Sequence, residues 1–201
     1  MSALTATPGP EVLLDHKGRP RRAFDTGLGY EATLLGTAFH EAGHAVLSMA
    51  YGYHVVSSEI IAWQVEPGRI RVTGSTVFQA EVFRPWQFAA QAAAGSVAQV
   101  RYLMAYGLWT PDRAAGCEAD HDREHATDLL ASYGHRLGRH HVPADGRSWG
   151  QVRGMAARKV GHLWREIRTV AHAMNEHTRL TGDQIAAMTG LTNATAPGGA
   201  A

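Results

Sequence analysis

The stretch EATLLGTAFHEAGHAVLSMA, residues 31–50, constrains this chain more than any other. Leu34, Leu35, Ala38, Ala42, Ala45, Val46 and Met49 recur at spacings of three and four, which predicts an amphipathic helix, and Gly52 stands where a helix-ending glycine would. The same helix carries H-E-x-x-H as His40, Glu41 and His44. Side chains at i and i+4 leave a helix from one face, a turn apart, so the two imidazoles can aim at a single point. Glu41 is rotated ~100° from His40 and reaches a water beside that point rather than the point itself.

Two imidazoles and a nearby carboxylate match the needs of hydrolytic zinc chemistry. Zinc takes imidazole nitrogen at ~2.0–2.1 Å, and a hydrolytic site uses three protein ligands and keeps one position for water. The bound water's pKa falls to about 7, and a carboxylate then serves as its general base. The plainer alternative, two ordinary histidines on an apolar helix, leaves the glutamate between them without a reason. A third ligand has to come from elsewhere. The segment GCEADHDREHATDLL, residues 116–130, offers Glu118, Asp120, His121, Asp122, Glu124 and His125, and spacing does not choose among them.

At 201 residues the chain suits one domain with a buried core. Residues 1–29, with Pro8, Pro10, Pro20 and several glycines around the basic Arg19, Arg21 and Arg22, read as a flexible N-terminal arm; residues 30–190 read as the domain and residues 191–201, TNATAPGGAA with its preceding leucine, as a disordered tail. After the first helix, HVVSSEIIAWQVEPGRIRVTGSTVFQ predicts two or three short strands around a Pro67-Gly68 turn. Pro85 opens a second, apolar helix that Gly107 closes, and Asp120 is placed to cap a third that runs to Gly134. A long amphipathic helix is expected from Trp149 to His177, its two tryptophans, Trp149 and Trp164, packing in the core or at an interface. Thr181–Gln184 has the pattern of a capping box for a last short helix. The expected class is α+β, mostly α-helical, with a small sheet or hairpin following the first helix.

Composition excludes more than it identifies. With 18% charged residues and a net charge of +1, no bias toward nucleic acid or an anionic membrane surface is expected. Cys117 is the one cysteine, so an intrachain disulfide is excluded. No signal peptide and no stretch of the ~20 apolar residues needed to span a bilayer is visible, so a cytoplasmic location is expected.

In order along residues 31 to 190, AFHEAGHAV, AAGSVAQV, DHDREHATDLL and LTGDQI resemble the motifs of the peptidase domain of FtsH-type zinc proteases. The resemblance implies a zincin-like fold and a zinc-dependent endopeptidase acting on polypeptide substrate. Carried over by position, it implies Zn²⁺ held by His40, His44 and Asp122, with Glu41 as general base. The sequence departs from the pattern at His121, where asparagine is usual, and at Gln99, where glutamate is usual; His121 therefore rivals Asp122 as a ligand. No phosphate-binding G-x-x-x-x-G-K-[ST] occurs, so the peptidase is expected to need no ATP of its own, to act on extended or unfolded segments, and to work alone or with a separate ATPase or unfoldase. Strand addition at residues 68–77 would present such a segment, unless that stretch is an ordinary core-packing hairpin, and the apolar face of the long helix would either pack internally or serve self-association into a homo-oligomer. Two other readings share these residues: a zinc hydrolase of a non-peptide amide, and a zincin-fold binding or regulatory protein that cleaves nothing.

Overall fold

The computed structural model describes residues 8–21 and 27–198. Chain order begins with α1 (Pro10–Leu13), α2 (Tyr30–Ala50), β1 (His54–Glu66), β2 (Arg69–Gln79) and α3 (Pro85–Ala105). It continues with α4 (Pro111–Gly116), α5 (Asp120–Ser132), β3 (Leu137–Gly138), β4 (Arg147–Ser148), α6 (Trp149–His162), α7 (Trp164–His177), β5 (Arg179–Thr181) and α8 (Gly182–Thr189). The class is α+β: helices around a small antiparallel sheet ordered β2-β1-β5. Among the described residues no helix is long and apolar enough to cross a membrane.

α2 is the central element. Every residue from Ala38 to Met49 is buried, because the helix is packed against α3, α7 and the inner face of the β1–β2 hairpin. Leu34, Phe39, Val46 and Leu47 meet Ile60, Tyr102, Ile167, Val170 and Met174 in one cluster. A second cluster joins Phe88 and Ala93 of α3, Ala126 and Leu130 of α5, and Trp149 and Val152 of α6. α3 makes both possible: Ala89, Ala90, Ala93, Ala94 and Ala98 are fully buried, and their short side chains let neighbouring helices approach closely. At the tightest point a Cβ on Gly43 would stand 2.7 Å from the Ala94 carbonyl oxygen and 2.8 Å from the Ala98 Cβ.

The hairpin differs from the expected short strands: it is two long strands paired from His54↔Gln79 to Glu66↔Arg69, with the register shifting between Val55 and Ser57 and between Gln64 and Glu66. Alternation along it sends Ser58, Ile60 and Ala62, all buried, toward α2, and places Thr76, Gly74 and Val72 opposite them. Its other neighbour, β5, pairs Ser57 with Thr181 and comes from far along the chain, which no local pattern announced. The expected single helix over 149–177 is two, broken at Leu163 (φ −100°, ψ 21°). Gly161 is a poor helix former, and Lys159 and His162 suit a C-terminal turn, so the break falls where helix continuation is weakest. Asp120 does not cap α5; it is that helix's first residue and pairs with Arg123 instead. Pro111 and the Thr110 cap, 3.2 Å from the Arg113 amide, form the short α4 within an expected loop. The capping box at Thr181 and Gln184 is present.

The ends of the chain are tied to the domain where they are described. In the segment expected as a flexible arm, Arg19 pairs with Asp15 and with Glu124 of α5, and His16 lies 2.6 Å from Asp128. Arg21 donates to the Leu14 carbonyl, whereas Arg22 and residues 1–7 and 23–26 lie outside the described residues. In the segment expected as a disordered tail, the Asn193 amide group clasps Val55: its Oδ1 accepts from the Val55 N–H at 2.8 Å and its Nδ2 donates back to the Val55 carbonyl at 3.1 Å. An asparagine side chain replaces a missing strand neighbour here, which composition does not disclose; residues 199–201 lie outside the described residues. Gly43→Ala is expected to force α2 and α3 apart and cost about 1–3 kcal/mol of stability, the scale of an overpacked core, as measured by urea unfolding.

Candidate metal centre

His40 and His44 leave α2 from one face, as their spacing dictates, with Nε2 atoms 3.1 Å apart. α5, packed on α3, brings Asp122 to them: its Oδ2 is 3.2 Å from each Nε2. Of the six candidates in residues 116–130, Asp122 alone joins the histidines. Glu118 pairs with Arg153 at 2.9 Å, Asp120 with Arg123, and Glu124 with Arg19. His125 stacks on His16 at 5.0 Å between ring centroids. His121 stands behind Asp122, its Nε2 3.3 Å from the other carboxylate oxygen, Oδ1.

The three donor atoms form a nearly equilateral triangle with sides of 3.1–3.2 Å. One face of a tetrahedral zinc site with bonds of ~2.0–2.1 Å has donor separations of about 3.3 Å, so the triangle fits a four-coordinate ion and leaves its fourth direction to another ligand. The hydrogen-bonding partners give the same answer from the electrons. Nδ1 of His44 is 2.9 Å from the Gln91 carbonyl oxygen, which only accepts, so that nitrogen carries the proton of the neutral ring. Nε2 then turns a lone pair toward the centre. Gln99 Oε1, 3.2 Å from Nδ1 of His40, orients the second ring in the same way. With both rings neutral in this tautomer, two lone pairs and a carboxylate oxygen converge, and a cation, whether metal ion or proton, is what such a set holds.

Space for this convergence is made by glycines. A Cβ on Gly95 of α3 would collide with Nε2 of both histidines, and a Cβ on Gly74 of β2 would stand 2.6 Å from Oε1 of Glu41. Glu41 is buried, and Thr76 Oγ1 donates to its Oε2 at 2.8 Å. Gln91, Gly74, Gly95 and Thr76 are the contributors that sequence reasoning did not single out. Gly95, standing among the alanines of the apolar α3 run, is the one local signal that was present.

Electrostatics agree with a site built for positive charge. Burial lowers the His44 pKa, but the charge and hydrogen bond of Asp122, then the Glu41 charge and the Gln91 carbonyl, raise it more strongly, to about 9. Burial pushes the Asp122 carboxyl upward, yet the His121 and His44 charges and the hydrogen bonds from His40 and His44 hold it well below the usual carboxylate range. His121 is itself lowered by burial, against the pull of Asp122, so near neutral pH the cationic partner of Asp122 is His44.

No family model matches this chain, and no curated protein matches it in sequence.

Metal and proton compete for the same nitrogen of His44. Below about pH 9 a proton must leave before a metal can bind, so apparent zinc affinity is expected to rise about tenfold per pH unit as the pH climbs toward about 9 and to level off above it. Chelator-competition titrations across that range measure the slope; a flat profile contradicts a shared nitrogen.

Proposed function

We propose that this protein is a zinc-dependent endopeptidase that hydrolyses peptide bonds in extended or unfolded polypeptide, with the zincin-like arrangement of an FtsH-type peptidase domain. The observation that carries this reading is the convergence of His40, His44 and Asp122 beside a buried carboxylate, Glu41, on the same helix as the two histidines. His40, His44 and Asp122 would hold the ion. When bound, zinc supplies Lewis acidity, polarising a carbonyl oxygen and acidifying water.

The chain's own residues do the remaining work. Glu41 takes the proton of the attacking water and returns it to the leaving amine. A carboxylate one residue along from His40 suits this role, because an offset of ~100° around the helix lets it reach a water beside the converging imidazoles rather than the ion itself. Asp122 offsets one of the two positive charges of the ion. β2 supports substrate presentation: it is an outer strand of the sheet and runs past Glu41 at Gly74 and Thr76. A segment added along it gains backbone hydrogen bonds with little dependence on side chains, which fits an enzyme acting on unfolded chains rather than on one sequence.

The test is incubation of the purified protein with zinc and a disordered protein, with and without chelator, with small acylated amides as the competing substrate class. Cleavage of the polypeptide that chelator abolishes is expected; cleavage of the amides alone assigns a different hydrolase, and binding without cleavage assigns a binding protein. Glu41→Gln is expected to keep its zinc and lose roughly 10²–10⁴-fold in rate, the scale of general acid–base help. Asp122→Ala is expected to lose the metal on dialysis, read by elemental analysis. Full zinc occupancy in that variant transfers the ligand role to a neighbour such as His121.

A further inference from the structure

Glu41 is held by a part of the chain that has no place in the metal triad. Thr76 Oγ1 lies 2.8 Å from Glu41 Oε2 and 3.2 Å from the Glu41 carbonyl oxygen. Ser58 Oγ, fully buried, lies 2.8 Å from the same Thr76 oxygen. Ser58 and Thr76 face each other across the β1–β2 register, two pairs away from Ile60↔Gly74 and so on the same face of the hairpin.

The direction of this chain of hydroxyls is set by its end. An ionised carboxylate only accepts, so Thr76 gives its single proton to Glu41, and the remaining capacity of its oxygen is to accept from Ser58. Ser58 then donates to Thr76 rather than to the Met174 sulfur, 3.7 Å away and a weaker acceptor. A fixed relay, Ser58 to Thr76 to Glu41, is the outcome. Gly74 completes it: the missing side chain leaves the space that the Glu41 carboxylate fills, with Oε1 against the bare Cα. Among the described residues no side chain donates to Oε1, so the two oxygens are unequal: Oε2 is anchored and Oε1 is spare.

We propose that Thr76 is a positioning residue for the general base: the hydroxyl of Thr76, itself oriented by Ser58, anchors Oε2 of Glu41 and leaves Oε1 as the oxygen that receives the water's proton. The assignment rests on Glu41 acting as that base. Thr76→Val keeps the shape of the side chain and removes the hydroxyl. With fluorescein-labelled casein as substrate and zinc bound, the expected result is a fall in kcat of about 10- to 100-fold with KM and zinc content unchanged, because a base out of place slows the proton step without weakening substrate binding. Thr76→Ser, which restores the hydroxyl, returns most of the rate. Ser58→Ala, which leaves the anchor but removes its orienting partner, lowers kcat in the same direction by a smaller factor and serves equally if the valine variant does not fold. In the Glu41→Gln background the Thr76→Val change adds no further loss, since there is no base left to position.

An unchanged kcat in Thr76→Val, or an equal loss with and without Glu41, overturns the role. Crystal structures of the zinc-loaded wild type and Thr76→Val protein decide independently of turnover: a displaced Glu41 carboxylate in the variant is expected, and an unmoved one overturns the proposal even if both proteins are active. A wild-type protein that binds zinc and cleaves no casein sinks the endopeptidase reading alone, and the crystal comparison still decides what Thr76 does to Glu41.

Discussion

Two imidazole nitrogens and one carboxylate oxygen, each 3.1–3.2 Å from the others, cannot share a buried point unless positive charge lies among them. Without a metal that charge is a proton, and the raised His44 pKa expresses it. Much of the fold serves to impose this proximity. α2 supplies the histidines, α3 fixes their rings from behind through the Gln91 carbonyl and the Gln99 amide, and α5 lowers Asp122 onto them. Repulsion among three like lone pairs is resisted by the packing of three helices, and that packing is dense because alanines line α3.

The groups behind the donors set how the centre behaves. The carbonyl of Gln91 fixes the tautomer of His44 irrespective of side-chain motion, since it belongs to the α3 backbone. Gln99 does the corresponding task for His40 with a neutral amide, and a neutral partner makes an imidazole a weaker electron donor than a carboxylate partner does. His121 Nε2 lies 3.3 Å from Oδ1 of Asp122, so the two oxygens of that carboxylate have different neighbours: His121 on one side and the two converging imidazoles on the other. The residue that the sequence offered as a rival to Asp122 thus stands against its other oxygen, outside the triangle of donors.

Legibility in the sequence followed the range of the interactions involved. The helix over Tyr30–Ala50 and the pairing of His40 with His44 could be read directly, because periodicity and i, i+4 geometry are local. Asp122 could not be separated from its neighbours by spacing, since the choice among six donors is made by the α3–α5 contact, 78 residues beyond His44. Resemblance pointed to Asp122 where periodicity was silent. Strand lengths were underestimated because the hairpin is sustained by pairing along its whole length, and β5 was missed because its partner lies more than a hundred residues earlier. The Leu163 break was hidden by an apolar pattern that continues in phase from Val160 to Ile167, both buried. Thr76 offered no signal at all: a threonine on a strand is ordinary, and only the register that sets it opposite Ser58 makes its hydroxyl useful.

Gly43, Gly74 and Gly95 come from three different elements: Gly43 is the notch that lets α3 close on α2, and Gly74 and Gly95 are the notches that admit Glu41 and the two imidazoles. The familiar five-letter signature records only the first of them. Grafting HEAGH onto another apolar helix would therefore carry over the imidazoles without the hollows that admit them. A transplant that worked would need the matching indentations on a facing helix and on a facing strand, so the unit of inheritance here is a mould of voids as much as a set of ligands.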